Sequence, residues 1–354
     1  MLGITSAVPD SSFVLPVLDL AHFTQGGDLK NRFLDDLRNA AHKAGFFYLI
    51  GHGVPESLNR EILQQSARFF ALPEEAKNQV AMIRSPHFRG YNREGLEYTR
   101  GQRDWREQMD IGAERPALLH DRQGPIWQRL QGPNQWPEAL PDFREIVLHW
   151  QERITTVLTR ILQALALALG QDERVFSPVC DEVPHQLLKL IRYPARHHSQ
   201  GQQGVGAHKD SGLLSLILQD EQSGLEVETA PGIWTAAPPR KGAFVVNIAE
   251  LLEVATGGYL RASVHRVVSP RPGLERLSVA FFLGARLDAQ MPVLNLPPAL
   301  VAETRGVTVD PDNPLFSQVG LNALKGRLRS HPDVAARYHA DLVGRGLLDV
   351  VAEQ

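Results

Sequence analysis

The sequence has one cysteine, Cys180, among its 354 residues. A single thiol can form neither an intramolecular disulfide nor a cysteine zinc cluster, so a disulfide-stapled scaffold is excluded. The most apolar stretch, residues 157–170, is interrupted by Arg160 and Gln163 and is too short to cross a bilayer. The first residues, MLGITSAVPDSS, lack the basic start and the apolar core of a signal peptide. We therefore expect a cytoplasmic protein.

The sequence also lacks an excess of charge of either sign. It carries 37 basic and 40 acidic side chains, a net charge of -3, and so has no electrostatic footprint for nucleic acid or for an anionic membrane. With 43% apolar residues, no internal repeat and no low-complexity tract, the chain is typical of a folded globular protein. A small-molecule substrate is the expected partner, and these features predict no particular oligomeric state.

The N-terminal half has the periodicity of helices. Apolar residues at helical spacing predict helices over residues 29–45, 55–71 and 141–169, and the β-rich run 46–50 predicts a short strand. The polar, arginine-bearing stretch 84–106 predicts a loop or an extended cover. Because the third helix is long and has one broad apolar face, we expect it to brace a flat layer.

Beyond Pro184 the pattern changes to short apolar or alternating runs. Glycine or proline lies in nearly every gap, which is typical of a β-sandwich or barrel rather than of strands joined by crossover helices. The predicted fold is mainly β with flanking helices, with a double-stranded β-helix (jelly roll) core braced by the long helix. The predicted strands are residues 186–193, 212–218, 225–228, 243–248, 262–268 and 277–283.

Two histidines and one aspartate are the candidate metal ligands. His208 and Asp210 lie two residues apart, and on an extended backbone that spacing projects both side chains to the same side. Alone, this pair fits a solvated ion pair, and His265, in the apolar run SVHRVV, fits a core imidazole bound to a backbone carbonyl. Together, two histidines and a carboxylate on separate strands make a facial triad, the arrangement that non-haem Fe(II) oxygenases use.

A candidate carboxylate receptor follows on the next predicted strand. Arg276 and Ser278 share one strand face, so a guanidinium fork and a hydroxyl point to one place. Tyr193, at the end of an earlier strand, could place a phenol beside that pocket. A co-substrate that chelates iron through one end needs its far carboxylate held in this way. The plainer alternative is an exposed arginine and an edge serine.

Motifs along most of the chain resemble one family. On them the sequence is similar to the isopenicillin N synthase-like family of Fe(II)- and 2-oxoglutarate-dependent oxygenases. The matching segments are LPVLDL (15–20), AGFFYLIGHGVP (44–55), FFALPEEAK (69–77), RGY (89–91), DWREQMDIG (104–112), LKLIRYP (188–194), AHKDSGLLSLILQD (207–220), GAFVVNIAELLEVATGG (242–258) and SVHRVV (263–268).

The resemblance implies a reaction and the residues that perform it. Such an enzyme uses Fe(II), 2-oxoglutarate and O2 to oxidise an unactivated C–H bond of a small molecule, and it releases succinate and CO2. Hydroxylation, desaturation, ring closure and fragmentation all fit. The implied metal ligands are His208, Asp210 and His265, and the implied residues for 2-oxoglutarate are Arg276 and Ser278, with Tyr193 assisting.

The chain departs from the family pattern at a few positions. Ile191 stands where members often carry asparagine, and Ala249 and Glu250 replace a common Gly-Asp pair. The metal triad is unaffected by these departures.

The resemblance also divides the chain into four parts. Residues 1–115 would form the N-terminal non-haem dioxygenase region, 116–180 a helical bracing segment, 181–286 the oxygenase jelly-roll core, and 287–354 a C-terminal helical tail. The arginines between residues 84 and 106 are balanced by acidic neighbours, so we expect a solvated or mutually paired surface there.

Three other functions stay open on the sequence alone. An Fe(II) oxidase of the same fold would use O2 without 2-oxoglutarate, as in isopenicillin N synthase-like enzymes, or with ascorbate. A zinc-dependent hydrolase could use the same two histidines and aspartate. A ligand-binding jelly roll would have no need of the triad. The primary substrate is not fixed, because the residues that select it lie on loops and on the C-terminal helix.

Overall fold

The computed structural model describes residues 14–118, 124–182, 184–195, 203–307 and 315–343. The helices in these ranges are α1 (Leu20–Gln25), α2 (Gly27–Lys43), α3 (Glu56–Phe70), α4 (Glu74–Gln79), α5 (Phe143–Ala168), α6 (Ser177–Cys180), α7 (Glu250–Ala255), α8 (Pro298–Val301), α9 (Val319–Ser330), α10 (Pro332–Tyr338) and α11 (Ala340–Val343). The strands are β1 (Val17–Asp19), β2 (Phe46–Ile50), β3 (Gly90–Asn92), β4 (Tyr98–Thr99), β5 (Gln102–Arg103), β6 (Glu107–Gly112), β7 (His185–Tyr193), β8 (Gln203–His208), β9 (Leu214–Gln219), β10 (Leu225–Ala230), β11 (Ile233–Ala236), β12 (Phe244–Ile248), β13 (His265–Val268) and β14 (Arg276–Gly284).

Two sheets form the core. The larger has the strand order β1-β2-β12-β9-β14-β7-β6-β3, and the smaller has the order β11-β10-β13-β8. Residues from both sheets meet in one apolar cluster, with Ile191 and Ala280 from the large sheet and Val205 and Val267 from the small one. The sheets therefore face each other, which is the predicted jelly roll.

The long helix α5 braces the large sheet, as predicted. Trp150 of α5 is fully buried, and its ring packs edge-on against Phe244 of β12 and Phe281 of β14, with centroids 6.4 and 6.5 Å apart. Its Nε1 donates a hydrogen bond to Asn59 Oδ1 of α3 (3.0 Å). Truncating a buried aromatic side chain of this kind lowers the free energy of unfolding by about 3–5 kcal/mol. Through these contacts of Trp150, α5 packs against the outer face of the large sheet.

Most predicted elements are confirmed, and seven strands were not predicted, namely β1, β3, β4, β5, β6, β8 and β11. The predicted helices correspond to α2, α3 and α5, and the predicted strands to β2, β7, β9, β10, β12, β13 and β14. The missed strand β8, with the sequence QGVGAH, is held by its pairing with β13 rather than by apolar alternation. Strand β6 was missed because its sequence EQMDIG carries charges, although all six residues are buried, and β1, β3, β4, β5 and β11 are each only two to four residues long.

The C-terminal helices pack as a separate layer. Leu321 and Leu324 of α9 and Val334 of α10 are buried in one apolar cluster with Met82 and Phe88. In the part of the chain that the structure describes, none of the helices combines the length and the apolar character that a membrane span requires.

Candidate metal centre

The two candidate histidines lie side by side in the small sheet. His208 is the last residue of β8, His265 is the first residue of β13, and the two are register partners. Their ring centroids are 4.3 Å apart. Asp210 follows two residues after the end of β8, so the expectation of an extended His-x-Asp segment holds only as far as His208.

The three side chains converge on one point. His208 Nε2 lies 3.4 Å from Asp210 Oδ1, and His265 Nε2 lies 3.6 Å from the same oxygen. One ligand atom from each residue lies within 4.8 Å of the others. Ligands about 2.1 Å from a metal ion and at right angles to one another are ~3 Å apart, so a divalent ion fits here with little movement.

Backbone carbonyls fix which nitrogen of each histidine faces the centre. His208 Nδ1 lies 2.8 Å from the Gly206 carbonyl oxygen, and His265 Nδ1 lies 3.2 Å from the Ser263 carbonyl oxygen. A carbonyl only accepts, so each Nδ1 must carry a proton, and the neutral form of each imidazole then offers its Nε2 lone pair to a metal ion. Metal-binding histidines are commonly oriented in this way.

The electrostatics of the site suit a cation. Burial lowers the pKa of His265 to about 4, so this imidazole is neutral at pH 7. Burial opposes ionisation of Asp210, but His265 and His208 outweigh it and hold the pKa of that carboxyl below its usual range. Burial also lowers the pKa of His208, but its hydrogen bond to Asp210 and the charge of that carboxylate raise it above the ordinary value.

Asn247 of β12 orients the carboxylate, and the sequence reasoning missed it. Its Nδ2 donates to Asp210 Oδ2 at 2.8 Å, and the side chain is fully buried. The second oxygen, Oδ1, is thereby turned to the two histidines. The sequence feature that could have revealed Asn247 is a single amide side chain in the otherwise apolar strand FVVNI, because a buried amide needs a hydrogen-bond partner.

We expect Asn247→Ala to weaken metal binding about 10- to 100-fold, because removing the hydrogen-bond partner of a metal-binding side chain lowers metal affinity by about this factor. The measurement is the dissociation constant for Fe(II), or for Co(II) as a stable probe, in competition with a chelator. Asn31→Ala, an exposed change on α2, is the matched control. Equal affinities in the wild type and both variants would show that Asn247 does not position Asp210.

The candidate carboxylate receptor is also assembled. Arg276 Nη1 lies 3.3 Å from Ser278 Oγ, Nη2 donates to Gln219 Oε1 at 2.9 Å, and Nε donates to the Gln222 carbonyl at 3.2 Å. The guanidinium lies over the Tyr193 ring, 5.0 Å from its centroid. Gln219 and Gln222 were not predicted: Gln219 lies in the matching segment 207–220 and Gln222 just beyond it, but nothing in the sequence marks either residue as a contact of Arg276.

Arg276 is a buried cation whose charge acts on the nearby Asp220 carboxylate without a direct ion pair. It is 1% exposed, and it forms no ion pair with any residue in the described ranges. Burying an unpaired charge is costly, so this position suits a ligand that supplies a carboxylate. The alternative of an exposed arginine and an edge serine is wrong, since Ser278 is also buried.

The charged residues of the 84–106 stretch divide into an exposed and a buried set: Arg84, Arg93, Arg100 and Arg103 are exposed, whereas Arg89, Glu97, Asp104 and Arg106 are buried. Arg106 and Glu97 are both buried, and Arg106 Nη2 donates to Glu97 Oε2 at 2.6 Å. Lys189 Nζ of β7 donates to the other Glu97 oxygen at 2.7 Å. The expectation of a solvated or mutually paired surface therefore holds for the exposed arginines and for the Arg106–Glu97 pair, but local periodicity does not show that this pair is buried.

We assign neither His52 nor the pair His197 and His198 to this centre. His52 is buried, and its Nδ1 accepts a hydrogen bond from the Val54 backbone N–H. His197 and His198 fall outside the described residues.

Two family models match the chain. Residues 15–139 match the model described as "non-haem dioxygenase in morphine synthesis N-terminal", and residues 184–285 match the "2OG-Fe(II) oxygenase superfamily" model. Among curated proteins, the 2-oxoglutarate-dependent dioxygenase frbJ of Dothideomycetidae sp. (strain 11243) is 34% identical over 92% of this chain and 91% of its own. The homoarginine-6-hydroxylase 2-ODD-C23.1 of Arabidopsis thaliana is 33% identical over 80% of this chain and 88% of its own.

Solved structures share the fold. A 2OG-Fe(II) oxygenase family protein of Caulobacter crescentus superposes with a TM-score of 0.71 at 26% identity, covering 89% of this chain and 98% of its own. A full-length Neurospora crassa protein, crystallised in complex with alpha-KG and 5-formyluracil, superposes with a TM-score of 0.72 at 24% identity, covering 92% and 99%. Because the identity is 24%, the similarity to the Neurospora crassa protein is evidence for the fold alone.

Proposed function

The chain belongs to the 2OG-Fe(II) oxygenase superfamily and is a 2-oxoglutarate-dependent non-haem dioxygenase, and from this premise we propose which of its residues bind the cofactor and the co-substrate. His208, Asp210 and His265 bind Fe(II). Arg276 and Ser278 bind the distal carboxylate of 2-oxoglutarate, with Tyr193 beside them. The reaction is the oxidation of a C–H bond of a small molecule with release of succinate and CO2.

One observation carries these assignments: the triad and the unpaired arginine face the same interior. Asp210 is tied to β12 through Asn247, and Arg276 and Ser278 lie on β14, in the same sheet. Ser278 is register partner both of Ile191 on β7 and of Gln219 on β9. A dicarboxylate held by its far end at Arg276 therefore reaches along the inner face toward the triad.

Each group has a distinct task. When bound, Fe(II) supplies the activation of O2 that couples decarboxylation of 2-oxoglutarate to oxidation of the substrate. The fixed Nε2 lone pairs and the oriented carboxylate hold the metal on one side and leave the opposite side open. Arg276 compensates the charge of the co-substrate and sets its direction. The buried residues around it exclude water, which strengthens these contacts.

The substrate approaches from the side of His208. The His208 side chain is 30% exposed, whereas those of Asp210 and His265 are each 4% exposed. The open side of the triad is therefore the side that leads out past the end of β8.

Hydroxylation is the outcome that we propose for the substrate. Plant relatives that are 33% and 34% identical are hydroxylases by name, which supports it. The same comparisons do not favour an Fe(II) oxidase without 2-oxoglutarate or a zinc hydrolase. Our proposal retains the four-part division of the chain. It also retains a small-molecule substrate rather than nucleic acid or membrane, because the charges of the chain nearly balance. A cytoplasmic location is retained because the chain has a single cysteine.

The test is substrate-stimulated release of succinate. Purified protein with Fe(II), O2 and 2-oxoglutarate is screened against small molecules, and succinate is measured with and without each. We expect succinate only when 2-oxoglutarate and Fe(II) are both present, and more of it with a true substrate. Product formation without 2-oxoglutarate, or full activity with Zn(II) in place of Fe(II), would contradict the assignment.

A further inference from the structure

The two segments that carry the metal ligands extend beyond the regular part of the small sheet. Asp210 lies past the end of β8, and residues 261–264, which lead into His265, lie before the start of β13. The pairing of the two strands is irregular as well, since its register shifts between His265 and Val267. The β-ladder alone therefore does not fix how the segment after β8 lies against the segment before β13.

One buried carboxylate joins these two segments. Glu253 of α7 is 5% exposed, and its Oε2 accepts a hydrogen bond from Lys209 Nζ at 2.7 Å. Its Oε1 accepts a hydrogen bond from the Ala262 backbone N–H at 3.3 Å. Lys209 stands between the ligands His208 and Asp210, and Ala262 comes three residues before the third ligand. Each oxygen of Glu253 thus holds one of the two ligand-bearing segments.

Helix α7 is a fixed base for this bridge. At its start, the Glu250 backbone N–H donates to the Asp210 carbonyl at 2.9 Å, and beyond its end the Gly258 backbone N–H donates to the Glu253 carbonyl at 2.8 Å. Glu253 lies three residues after Glu250, hence on the same side of the helix. The side of α7 whose backbone binds the segment after β8 therefore also carries the carboxylate that binds Lys209.

We propose that Glu253 is a positioning residue of the metal centre, which fixes its two ligand-bearing segments relative to each other through Lys209 and Ala262. It acts on the backbone that carries the ligands, whereas Asn247 acts on the side chain of one ligand. It also compensates the charge of Lys209, the cation that lies between two ligands in the chain. This inference rests on the proposed function, because it requires the triad to bind the metal.

The first test is the affinity of metal-free Glu253→Gln for Fe(II) and Co(II), measured in competition with a chelator. Glutamine keeps the size of the side chain and an oxygen for the Ala262 amide, but it loses the charge that binds Lys209. We expect the dissociation constant to rise about 10- to 100-fold, as for other residues that orient metal ligands. The visible spectrum of the Co(II) form should change with it. Glu61→Gln, an exposed change on α3, is the matched control.

A second variant, Lys209→Met, separates positioning from charge. By charge alone, the loss of a cation near the ligands would strengthen metal binding. Because Lys209 holds its segment to Glu253, we expect weaker binding instead, by a factor similar to that of Glu253→Gln. The double variant should bind the metal about as weakly as the weaker single variant, since both changes break the same contact. Lys241→Met, at an exposed lysine before β12, is the control.

The outcomes separate this inference from the proposed function. Wild-type protein that binds neither Fe(II) nor Co(II) would overturn both. Wild-type affinity in Glu253→Gln, tighter binding in Lys209→Met, or losses that multiply in the double variant would overturn the inference alone. A merely structural role lowers the Tm of the metal-free variants and leaves their metal affinity unchanged, so both are measured. If Glu253→Gln fails to fold, Lys209→Met still decides, because the Lys209 side chain is 16% exposed.

Discussion

Replacement of Asp210 by alanine is expected to abolish turnover, with kcat/KM reduced at least about 1000-fold. Asp210 is the one anionic group of the triad, and its Oδ1 lies 3.4 and 3.6 Å from the two imidazole Nε2 atoms. Without it, two neutral imidazoles remain, and they hold a divalent ion far more weakly. A metal ion contributes several kcal/mol to catalysis, and each 1.36 kcal/mol corresponds to about a tenfold change in rate.

The assay for Asp210→Ala is succinate release together with the iron content of protein purified without O2. Asp210→Asn, which keeps the shape and the contact with Asn247, separates loss of charge from loss of packing. His149→Ala is the control, because this histidine is exposed on α5, away from the site. Thermal unfolding should show that all variants remain folded. Bound iron and turnover within tenfold of the wild type in Asp210→Ala would rule out the proposed ligand set.

Replacement of Arg276 by lysine or glutamine is expected to raise KM for 2-oxoglutarate about 30- to 5000-fold. A buried, charge-assisted pair that loses one partner costs about 2–5 kcal/mol. Lysine keeps the charge but loses the planar fork that reaches Ser278 and Gln219, so a large part of the effect should persist in Arg276→Lys.

The measurement for Arg276 compares two keto acids. The wild type should strongly prefer 2-oxoglutarate over 2-oxobutyrate, which lacks the distal carboxylate, and both variants should lose most of that preference. Arg266→Ala is a suitable control, because Arg266 is a partly exposed arginine paired with Glu226 on the small sheet. An unchanged preference in Arg276→Gln would mean that the distal carboxylate binds elsewhere.

The sequence predicts the core of this molecule well where local pattern and burial agree. The apolar face of α5 predicts both a helix and the sheet beneath it, and Trp150 against Phe281 is the contact that results. The triad follows from residue type and spacing, since His208 and His265 are register partners on paired strands. Strand β8, by contrast, has two glycines and little apolar alternation, so its pairing with β13 defines it.

What the sequence could not show depends on contacts between distant segments. In the sequence, Asn247 is an ordinary residue of a predicted strand. Only the structure shows that its amide donates a hydrogen bond to Asp210 Oδ2. Arg106 and Glu97 lie in a polar segment that predicts exposure, but both are buried, and Glu97 contacts Lys189 of β7 and His331 at the end of α9. The partner of a buried polar group is a long-range property, which periodicity within a segment does not encode.

The most direct measurement is an anaerobic titration of the metal-free protein with Fe(II) and 2-oxoglutarate, followed by calorimetry and by the visible charge-transfer absorption of an iron-bound keto acid. Our account predicts one iron per chain, keto-acid binding that requires the metal, loss of both in Asp210→Ala, and loss of keto-acid binding alone in Arg276→Gln. Iron binding that is unaffected by Asp210→Ala, or 2-oxoglutarate binding of equal strength without metal, would contradict it.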